Sequence, residues 1–384
     1  MEDIDIEIRK HRFIVFGFEH YNTLGVIRSL GEVGIHPTVI LHMTNMLEAS
    51  LVPNSRYISD IDIVKDTDEG YRLLMNKYGS EQNKPFLYSC DDYVEMCLDQ
   101  HYDELKDKFY FFDGGQSGII SKYMDKDTIS NLAVECGFHI PKTEVLKRGV
   151  LPKSLTYPVI TKAKVSAIGG WKSDVKICYS EKELLEAYKN MITEDLLVEE
   201  FIEKKNELCL DGFCINHGND VCIPFQTTYL RLAPGKYGNY MELAPFKNKT
   251  VYEQVKQILR RSSFNGIFSV EFLIGQNNEL YFLEVNFRNS TWSYAFTYGG
   301  VNMPYEWAKA MLKGSISAED ARDTPFIAMA EIPDFKDFVL TNKISIFKWL
   351  RDVINSDCLF YWNKNDKKPF FVWLWNIIKR RIIH

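Results

Sequence analysis

The residues best suited to chemistry lie on two predicted strands joined by a short turn, which carry Glu271 and then Glu284, Asn286 and Arg288. Alternation along a strand places the last three on one face, and a hairpin brings Glu271 beside them. Two carboxylates and an amide oxygen suit Mg²⁺ that bridges nucleotide phosphates, and an arginine can clamp a phosphate. A solvated strand face is the alternative, but 280–285 is otherwise strongly apolar. The pattern therefore favours a metal site.

A second candidate lies upstream, where the predicted strand 157–162 ends in Lys162 and a glycine loop, 166–173, follows. A flexible loop with Gly169 and Gly170 offers backbone N–H groups to phosphate oxygens, and a lysine on a strand supplies a fixed charge. The loop alone would more often be a simple hairpin turn. Together, loop and lysine indicate a cover over phosphates.

A third candidate is the apolar strand from Leu196 to Ile202, which is followed by Glu207. Free backbone groups at a strand edge can hydrogen-bond an adenine, and a carboxylate can accept from ribose hydroxyls. An ordinary strand with exposed glutamates fits the segment equally well when it is taken alone.

Folded elements must hold these candidate residues in place. The sequence pattern of the N-terminal part predicts such elements. Strand 13–18, helix 24–30 and strand 38–41 form a βαβ unit, which implies a parallel sheet, and further strands are expected at 85–89 and 109–112. We place a Rossmann-like domain at residues 1–120. The loop after the first strand lacks the G-x-G-x-x-G glycines of dinucleotide-binding proteins, which counts against a nicotinamide enzyme.

From residue 123 onward the pattern changes to short strands and helices, an α+β mixture that runs to about residue 312. The order of features in this region resembles the ATP-grasp superfamily, preceded by a domain similar to its pre-ATP-grasp domain. The resemblance implies a two-lobed ATP-grasp domain at 121–314, with a small lobe at 121–200 and a large lobe at 201–314. A C-terminal extension, 315–384, would end in an aromatic and basic helix.

The resemblance also implies roles for individual residues. Nucleotide binding would involve the following residues: Lys126, Lys162, Gly169, Gly170, Glu199, Glu200, Phe201, Ile202 and Glu207. Glu271, Glu284 and Asn286 resemble the metal triad of the family, and Arg288 completes its E-x-N-x-R form. Arg231 and Lys236 lie in a segment that looks like the loop over the γ-phosphate and acceptor.

The activity implied is ATP-dependent ligation with Mg²⁺ or Mn²⁺, in which a carboxylate is phosphorylated and an amine attacks the acyl phosphate. Both substrates would be small molecules, and among named members the layout is most similar to D-aspartate ligase. Two rivals remain open: a nucleotide-binding regulator without turnover, and a nucleotide-sugar or nicotinamide enzyme that uses the N-terminal domain. The metal carboxylates favour an enzyme.

Composition and charge bear on the partners and the location of the protein. A formal charge of −6 gives no overall attraction to nucleic acid, and the eight cysteines show no C-x-x-C spacing. The acidic N-terminus and the lack of an apolar run of roughly 18 residues favour a cytoplasmic protein. The terminal stretch 370–383 leaves open a peripheral membrane contact, against the alternative of a docked helix. A homodimer is equally open.

Overall fold

A computed structural model describes residues 2–43, 51–164, 174–232, 237–317 and 321–383 of the chain. It is a mixed α/β structure with three sheets, one parallel and two largely antiparallel, in the order that the sequence predicted. The parallel sheet is Rossmann-like, and the other two sheets form the two lobes of the region that follows. The exact domain boundaries at 120, 200 and 314 stay predictions.

The N-terminal sheet has four parallel strands in the order β3-β2-β1-β4. Its strands are β1 (Phe13–Phe18), β2 (Thr38–His42), β3 (Asp60–Val64) and β4 (Phe86–Ser89). The helices around them are α1 (Glu2–Ile8), α2 (Tyr21–Glu32), α3 (Thr67–Tyr78), α4 (Asp92–Gln100), α5 (Tyr102–Leu105) and α6 (Ile119–Tyr123), and a 3₁₀ turn spans Val52–Asn54. Central strand β1 is an almost continuous buried apolar run, as expected for a parallel strand covered on both faces.

Two details of this sheet differ from the sequence prediction. The strand expected at 109–112 is wrong, because that segment makes only an isolated bridge between Tyr110 and Phe86. Strand β3 was not predicted, since its alternation of aspartate and isoleucine is short and lies at the polar edge of the sheet. Gly17 is required by packing: a Cβ there would lie 2.7 Å from the Cys90 Cβ.

The small lobe is a four-stranded antiparallel sheet in the order β5-β8-β6-β7. Its strands are β5 (Thr143–Lys147), β6 (Val159–Ala163), β7 (Lys176–Cys178) and β8 (Asp195–Glu200). Helix α7 (Lys126–Glu135) precedes the sheet, and α8 (Glu181–Tyr188) packs on it. A separate small core that includes Val159, Leu184 and Val198 holds the lobe together. The lobe is thus a packing unit distinct from the main core.

The large lobe is a seven-stranded sheet in the order β13-β12-β9-β10-β11-β14-β15. Its strands are β9 (Lys204–Ile215), β10 (Asp220–Arg231), β11 (Tyr240–Pro245), β12 (Gly266–Gly275), β13 (Leu280–Asn286), β14 (Phe326–Met329) and β15 (Cys358–Leu359). Helices α9 (Lys249–Arg261), α10 (Ser293–Tyr298) and α11 (Met303–Lys313) accompany it. Strands β12 and β13 form the predicted hairpin, and Asn278 in its turn has φ 65°, which asparagine tolerates.

The N-terminal sheet and the large lobe share one core. Trp307 of α11 is fully buried and packs edge-on against Tyr88 and Phe112, with ring centroids 5.5 and 5.0 Å apart. Buried aromatic rings contribute large apolar areas and fixed geometry. This contact joins helix α11 of the large lobe to strand β4 of the parallel sheet.

The residues beyond 314 are partly built into the large sheet, because β14 and β15 extend its edge past β11. The remaining elements are α12 (Glu331–Asp334), a π-helical turn at Phe335–Val339, α13 (Ile346–Ile354) and α14 (Lys368–Ile383). Arg28 and Asp366 form a fully buried ion pair, 3.1 Å between Nε and Oδ2, which ties this segment to α2. The C-terminal segment therefore closes on the N-terminal domain.

The predicted aromatic and basic helix is α14. Trp373 packs on Tyr361 with ring centroids 5.9 Å apart, while Phe371 and Trp375 are more than half exposed. Among the described residues, no helix combines the length and apolarity that crossing a bilayer requires. Contact of the exposed side with a membrane surface stays a prediction.

Candidate functional site

The hairpin of β12 and β13 brings the predicted metal residues together. Glu271 lies opposite Glu284 in the register, and Asn286 lies opposite Ser269, so all three side chains share one face. The amide of Asn286 donates to Glu271 Oε1 at 2.9 Å, and Arg288 Nη2 donates to Asn286 Oδ1 at 3.0 Å. The convergence predicted from strand alternation is therefore present.

Arg288 is also held from the N-terminal domain. Its Nε donates to Asp92 Oδ1 at 2.6 Å, and both side chains are about one-fifth exposed. Asp92 begins α4 directly after the carboxyl end of β4. Ligands in open α/β sheets bind outside the carboxyl ends of the strands, and this position was the available signal for a residue that the sequence analysis missed. Asp92 thus connects two domains through one arginine.

Lys126 reaches the same cluster from α7. Asp125 caps that helix by accepting from Thr128 N at 2.9 Å, and its other oxygen pairs with Lys164 at 3.3 Å. A capped helix start fixes the direction of the next side chain, so Lys126 forms an ion pair with Glu284. The Asp-Lys motif therefore places a lysine charge at the hairpin.

The carboxylates of the cluster are electrostatically crowded. Burial, followed by the charges of Glu284 and Glu207, raises the pKa of Glu271 to about 8. Burial alone would also raise the pKa of Glu284, but Lys126 outweighs it and holds that pKa below its usual value. Glu284 therefore has a lysine as its ion-pair partner, whereas Glu271 has no such partner among the described residues.

This crowding fits a divalent cation. Two facing carboxylates and the Asn286 amide oxygen are oxygen ligands of the kind that Mg²⁺ takes, and a cation between them would relieve the repulsion at Glu271. Within the described part of the chain, no three acidic, histidine or cysteine side chains group closely enough to hold a metal. A cation held by Glu271 and Glu284 would take the amide oxygen of Asn286 as its third protein ligand.

The predicted phosphate lysine lies on the small lobe. Lys162 of β6 pairs with Glu199 of the neighbouring strand β8, and both side chains are largely buried. Glu200 points away and accepts from Lys142 N at 2.9 Å. Phe201 N donates to Pro158 O at 3.1 Å, so this backbone group is not free for a ligand.

Glu207 lies on the same face of the large sheet as Glu271, because it pairs with Leu273, two residues along β12. Lys204 forms an ion pair with it at 2.5 Å, and burial raises its pKa despite that pair. Lys204 was not predicted, although its spacing of three residues before a glutamate was visible. The pair borders the cluster at the junction of the two lobes.

Three of the predicted residues, Gly169, Gly170 and Lys236, lie outside the described residues. Arg231 is described, and its guanidinium lies in an ion-pair cluster. Its guanidinium is bound by Asp334 at 3.0 and 2.5 Å and by Asp352 at 2.6 Å. Both acceptors belong to the C-terminal segment, so these contacts favour a structural role for Arg231 and leave its expected contact with the γ-phosphate to be tested.

Comparisons with known proteins agree on the nature of this region. Residues 125–309 match the family model described as "Carbamoyl-phosphate synthase L chain, ATP binding domain". N5-carboxyaminoimidazole ribonucleotide synthase of Staphylococcus aureus strain COL is 31% identical over 139 residues, which is 35% of this chain and 35% of that protein. The match thus spans about a third of the length of this curated relative.

Solved structures extend the likeness over most of the chain. The crystal structure of N5-carboxyaminoimidazole synthetase from Staphylococcus aureus aligns with a TM-score of 0.65 at 17% identity, covering 86% of this chain and 85% of that one. L-amino acid ligase from Bacillus licheniformis aligns with a TM-score of 0.62 at 13% identity, covering 79% and 74%. At these identities the likeness establishes a shared fold.

Proposed function

From the premise that this chain belongs to the ATP-grasp superfamily, we propose that it is an ATP-dependent ligase that joins a carboxylate to an amine. ATP would phosphorylate the carboxylate, the amine would attack the acyl phosphate, and ADP and phosphate would be released. Both substrates are small molecules in this proposal, and nucleic acid has no part in it. A cytoplasmic location and a homodimer belong to the same proposal.

The observation that carries this proposal is the convergence of cations from three elements on one pair of carboxylates. Lys126 comes from α7, Arg288 follows β13, and Lys162 lies on β6, and each contributes to the electrostatics of Glu284. Phosphoryl transfer requires in-line positioning and neutralisation of charge more than a nucleophilic side chain. A fixed group of cations beside metal-binding carboxylates supplies both.

We assign the predicted nucleotide contacts on this basis. Lys162 would exchange Glu199 for the α and β phosphates, while Glu207 would accept from the ribose hydroxyls and 199–202 would border the adenine. Glu271, Glu284 and Asn286 would hold Mg²⁺ or Mn²⁺, and the cation would neutralise negative charge on the phosphates. Arg288 would stabilise the phosphoryl group during transfer.

The experiment that tests the reaction class needs no knowledge of the amine. A screen of candidate acids with ATP, Mg²⁺ and hydroxylamine should find one that yields a hydroxamate with stoichiometric ADP, because hydroxylamine intercepts an acyl phosphate. AMP and pyrophosphate would indicate attack on the α-phosphate and contradict the proposal. Binding of ATP without any acid-dependent ADP would instead support a nucleotide-binding regulator.

A further inference from the structure

Helix α13 and the turn before it expose large apolar side chains. Phe347 is 81% exposed, Ile354 is 80% exposed, and Leu350 of the same helix is also exposed. These three residues are spaced at i, i+3 and i+7, so they share one face of the helix. With Leu340 and Ile346, which are exposed as well, they form what we call the α13 surface. Single exposed apolar residues are common, whereas a group of them marks an interaction surface.

The orientation of α13 is the reverse of that of an ordinary surface helix, which turns its apolar face toward the core. Asp352 is buried, and it lies about 140° around the helix axis from Phe347 at 3.6 residues per turn. Its carboxylate accepts from Arg231 Nη1 at 2.6 Å. Ser345 caps the helix by accepting from Lys348 N at 3.2 Å. The polar side of α13 is therefore bound to the large lobe, and its apolar side points outward.

The contacts of the inner side hold the helix in this orientation. The ring of Trp349 packs edge-on against that of Phe335, with centroids 5.0 Å apart. Turning the helix to bury Phe347 would separate Asp352 from Arg231, and breaking a largely buried ion pair is costly. The α13 surface can therefore be covered only by something outside this fold.

The exposed charges within this segment are positive. Lys343, Lys348 and Arg351 are exposed, whereas Asp352, the one carboxylate in 340–356, is buried and paired with an arginine. Lys348 approaches Asp352 at 3.4 Å and still keeps more than half of its side chain exposed. The chain as a whole has a formal charge of −6, so this local excess of positive charge runs against the overall charge.

The acids that flank the segment along the chain are engaged within the fold. Asp337 accepts from Asn239 Nδ2 at 3.2 Å. Asp357 accepts from the backbone N–H of Ile327 at 2.9 Å and lies 3.8 Å from Arg322. An anionic partner would thus meet the basic side chains of α13 beside its apolar face.

A bilayer surface with anionic headgroups matches both properties of the α13 surface. Helices at such an interface bury apolar side chains at the boundary of the acyl chains, while lysine and arginine reach the headgroups. A second copy of the chain fits less well. A two-fold contact through this surface would bring Lys343, Lys348 and Arg351 close to their own counterparts, and like charges repel.

We propose that the α13 surface docks on an anionic lipid surface, with α13 lying in the plane of the interface. Phe347, Leu350 and Ile354 enter the boundary of the acyl chains, and Lys343 and Arg351 face the headgroup phosphates. The docking site is separate from the exposed side of α14. It goes beyond the proposed ligase function and does not rest on it, because none of its residues belongs to the cluster of Glu271 and Arg288.

The test uses the full chain and vesicles of defined composition. Co-sedimentation would compare vesicles of phosphatidylcholine with vesicles in which about one lipid in four is phosphatidylglycerol. The wild type should bind the anionic vesicles more tightly, and high salt should weaken that binding. Combining Phe347→Ser with Ile354→Ser should weaken it more than about tenfold, because two large apolar groups are lost. Combining Lys343→Gln with Arg351→Gln should weaken it about thirtyfold.

Matched controls come from the small lobe. Tyr179 and Ile192 are about two-thirds exposed, so combining Tyr179→Ser with Ile192→Ser removes side chains of the same kinds. Combining Lys153→Gln with Lys182→Gln removes two exposed lysines. Both control variants should bind the anionic vesicles like the wild type. Thermal melting of every variant shows whether it is folded.

Three outcomes would overturn the assignment. The first is a wild type that does not bind anionic vesicles, and the second is equal binding by the wild type and the variant with Phe347→Ser and Ile354→Ser. The third is a dimer in sedimentation velocity that dissociates in this variant, because a second copy would then cover the surface. Binding that is lost only with Trp375→Ser would place the lipid contact on α14 instead. A failed hydroxamate assay beside intact vesicle binding would refute the ligase and leave the docking surface standing.

Discussion

Two arginine–carboxylate clusters lie on the same seven-stranded sheet, and they differ in how completely their charges are matched. Around Arg231, one guanidinium binds Asp334 and Asp352, Lys348 adds a second cation at 3.4 Å, and the Tyr240 ring lies 4.6 Å from the guanidinium carbon. Around Arg288, Glu271 has no ion pair among the described residues and is held only by an amide. In the first cluster each of these aspartates has an ion-pair partner, whereas in the second the cations Lys126 and Arg288 pair with other carboxylates and leave Glu271 without a partner among the described residues.

This difference separates a structural cluster from a functional one. A matched, buried ion pair satisfies its own groups and leaves nothing for a ligand, and breaking it destabilises the fold. A group of carboxylates with too few cations is costly for the fold and suits a site that gains its missing charge by binding. Burial and arginine content are similar in the two clusters, so neither property distinguishes them.

The largest expected effect is at the unmatched cluster. Combining Glu284→Gln with Asn286→Ala should lower turnover more than about a thousandfold, because it removes metal ligands and a contact of Arg288. The melting temperature should change little, since neither side chain supports the core. ADP release with the acid found in the screen and circular dichroism measure the two quantities. Turnover at the wild-type rate in limiting Mg²⁺ would exclude this metal site.

The cluster around Arg231 should respond in the opposite way, with a change in stability and none in ATP binding. Arg231→Leu leaves Asp334 buried without its partner and should lower the free energy of unfolding by about 3 kcal/mol. ATP affinity of the folded variant should stay at the wild-type value. Urea denaturation and calorimetry with ATP provide the measurements.

The control for Arg231→Leu is Lys189→Ala, which breaks an ion pair with Glu186 whose side chains are two-thirds exposed. It should change the free energy of unfolding by under about 1 kcal/mol. If folded Arg231→Leu no longer binds ATP, Arg231 belongs to the phosphate site after all.

A smaller effect is expected at the small lobe. Lys162→Ala should weaken ATP binding about tenfold, because it removes one charge-assisted contact to the phosphates and leaves the other cations in place. Calorimetry would measure it, with Lys176→Ala on the adjacent strand β7 as the control, since that lysine is exposed. Equal affinities of the two variants would mean that the phosphates bind elsewhere.

The hairpin cluster was predictable because its geometry is local. Strand alternation and one short turn determine where Glu271, Glu284 and Asn286 point, and both strands are strongly patterned. The first βαβ unit was predictable for the same reason, since the buried run of β1 and the break before β2 are visible in the sequence. Local periodicity was therefore sufficient to predict the fold class and the central residues of the candidate site.

Arg231 and Asp92 were not predictable because their partners are distant. Asp334 and Asp352 lie 103 and 121 residues beyond Arg231, and Asp92 lies 196 residues before Arg288. No periodicity reports a contact across such separations. The strands β14 and β15 were missed because they are short, and they are strands only through pairing at the edge of the large sheet.

The ion pair of Arg28 and Asp366 has a consequence for how the chain is made. The guanidinium lies in the second helix from the N-terminus, yet its acceptors are Asp366 and the carbonyl oxygens of Phe360 and Tyr361. During synthesis on the ribosome, these acceptors emerge more than 300 residues after the arginine. The N-terminal domain therefore cannot bury α2 in its final form until the segment that contains Phe360, Tyr361 and Asp366 has been synthesised.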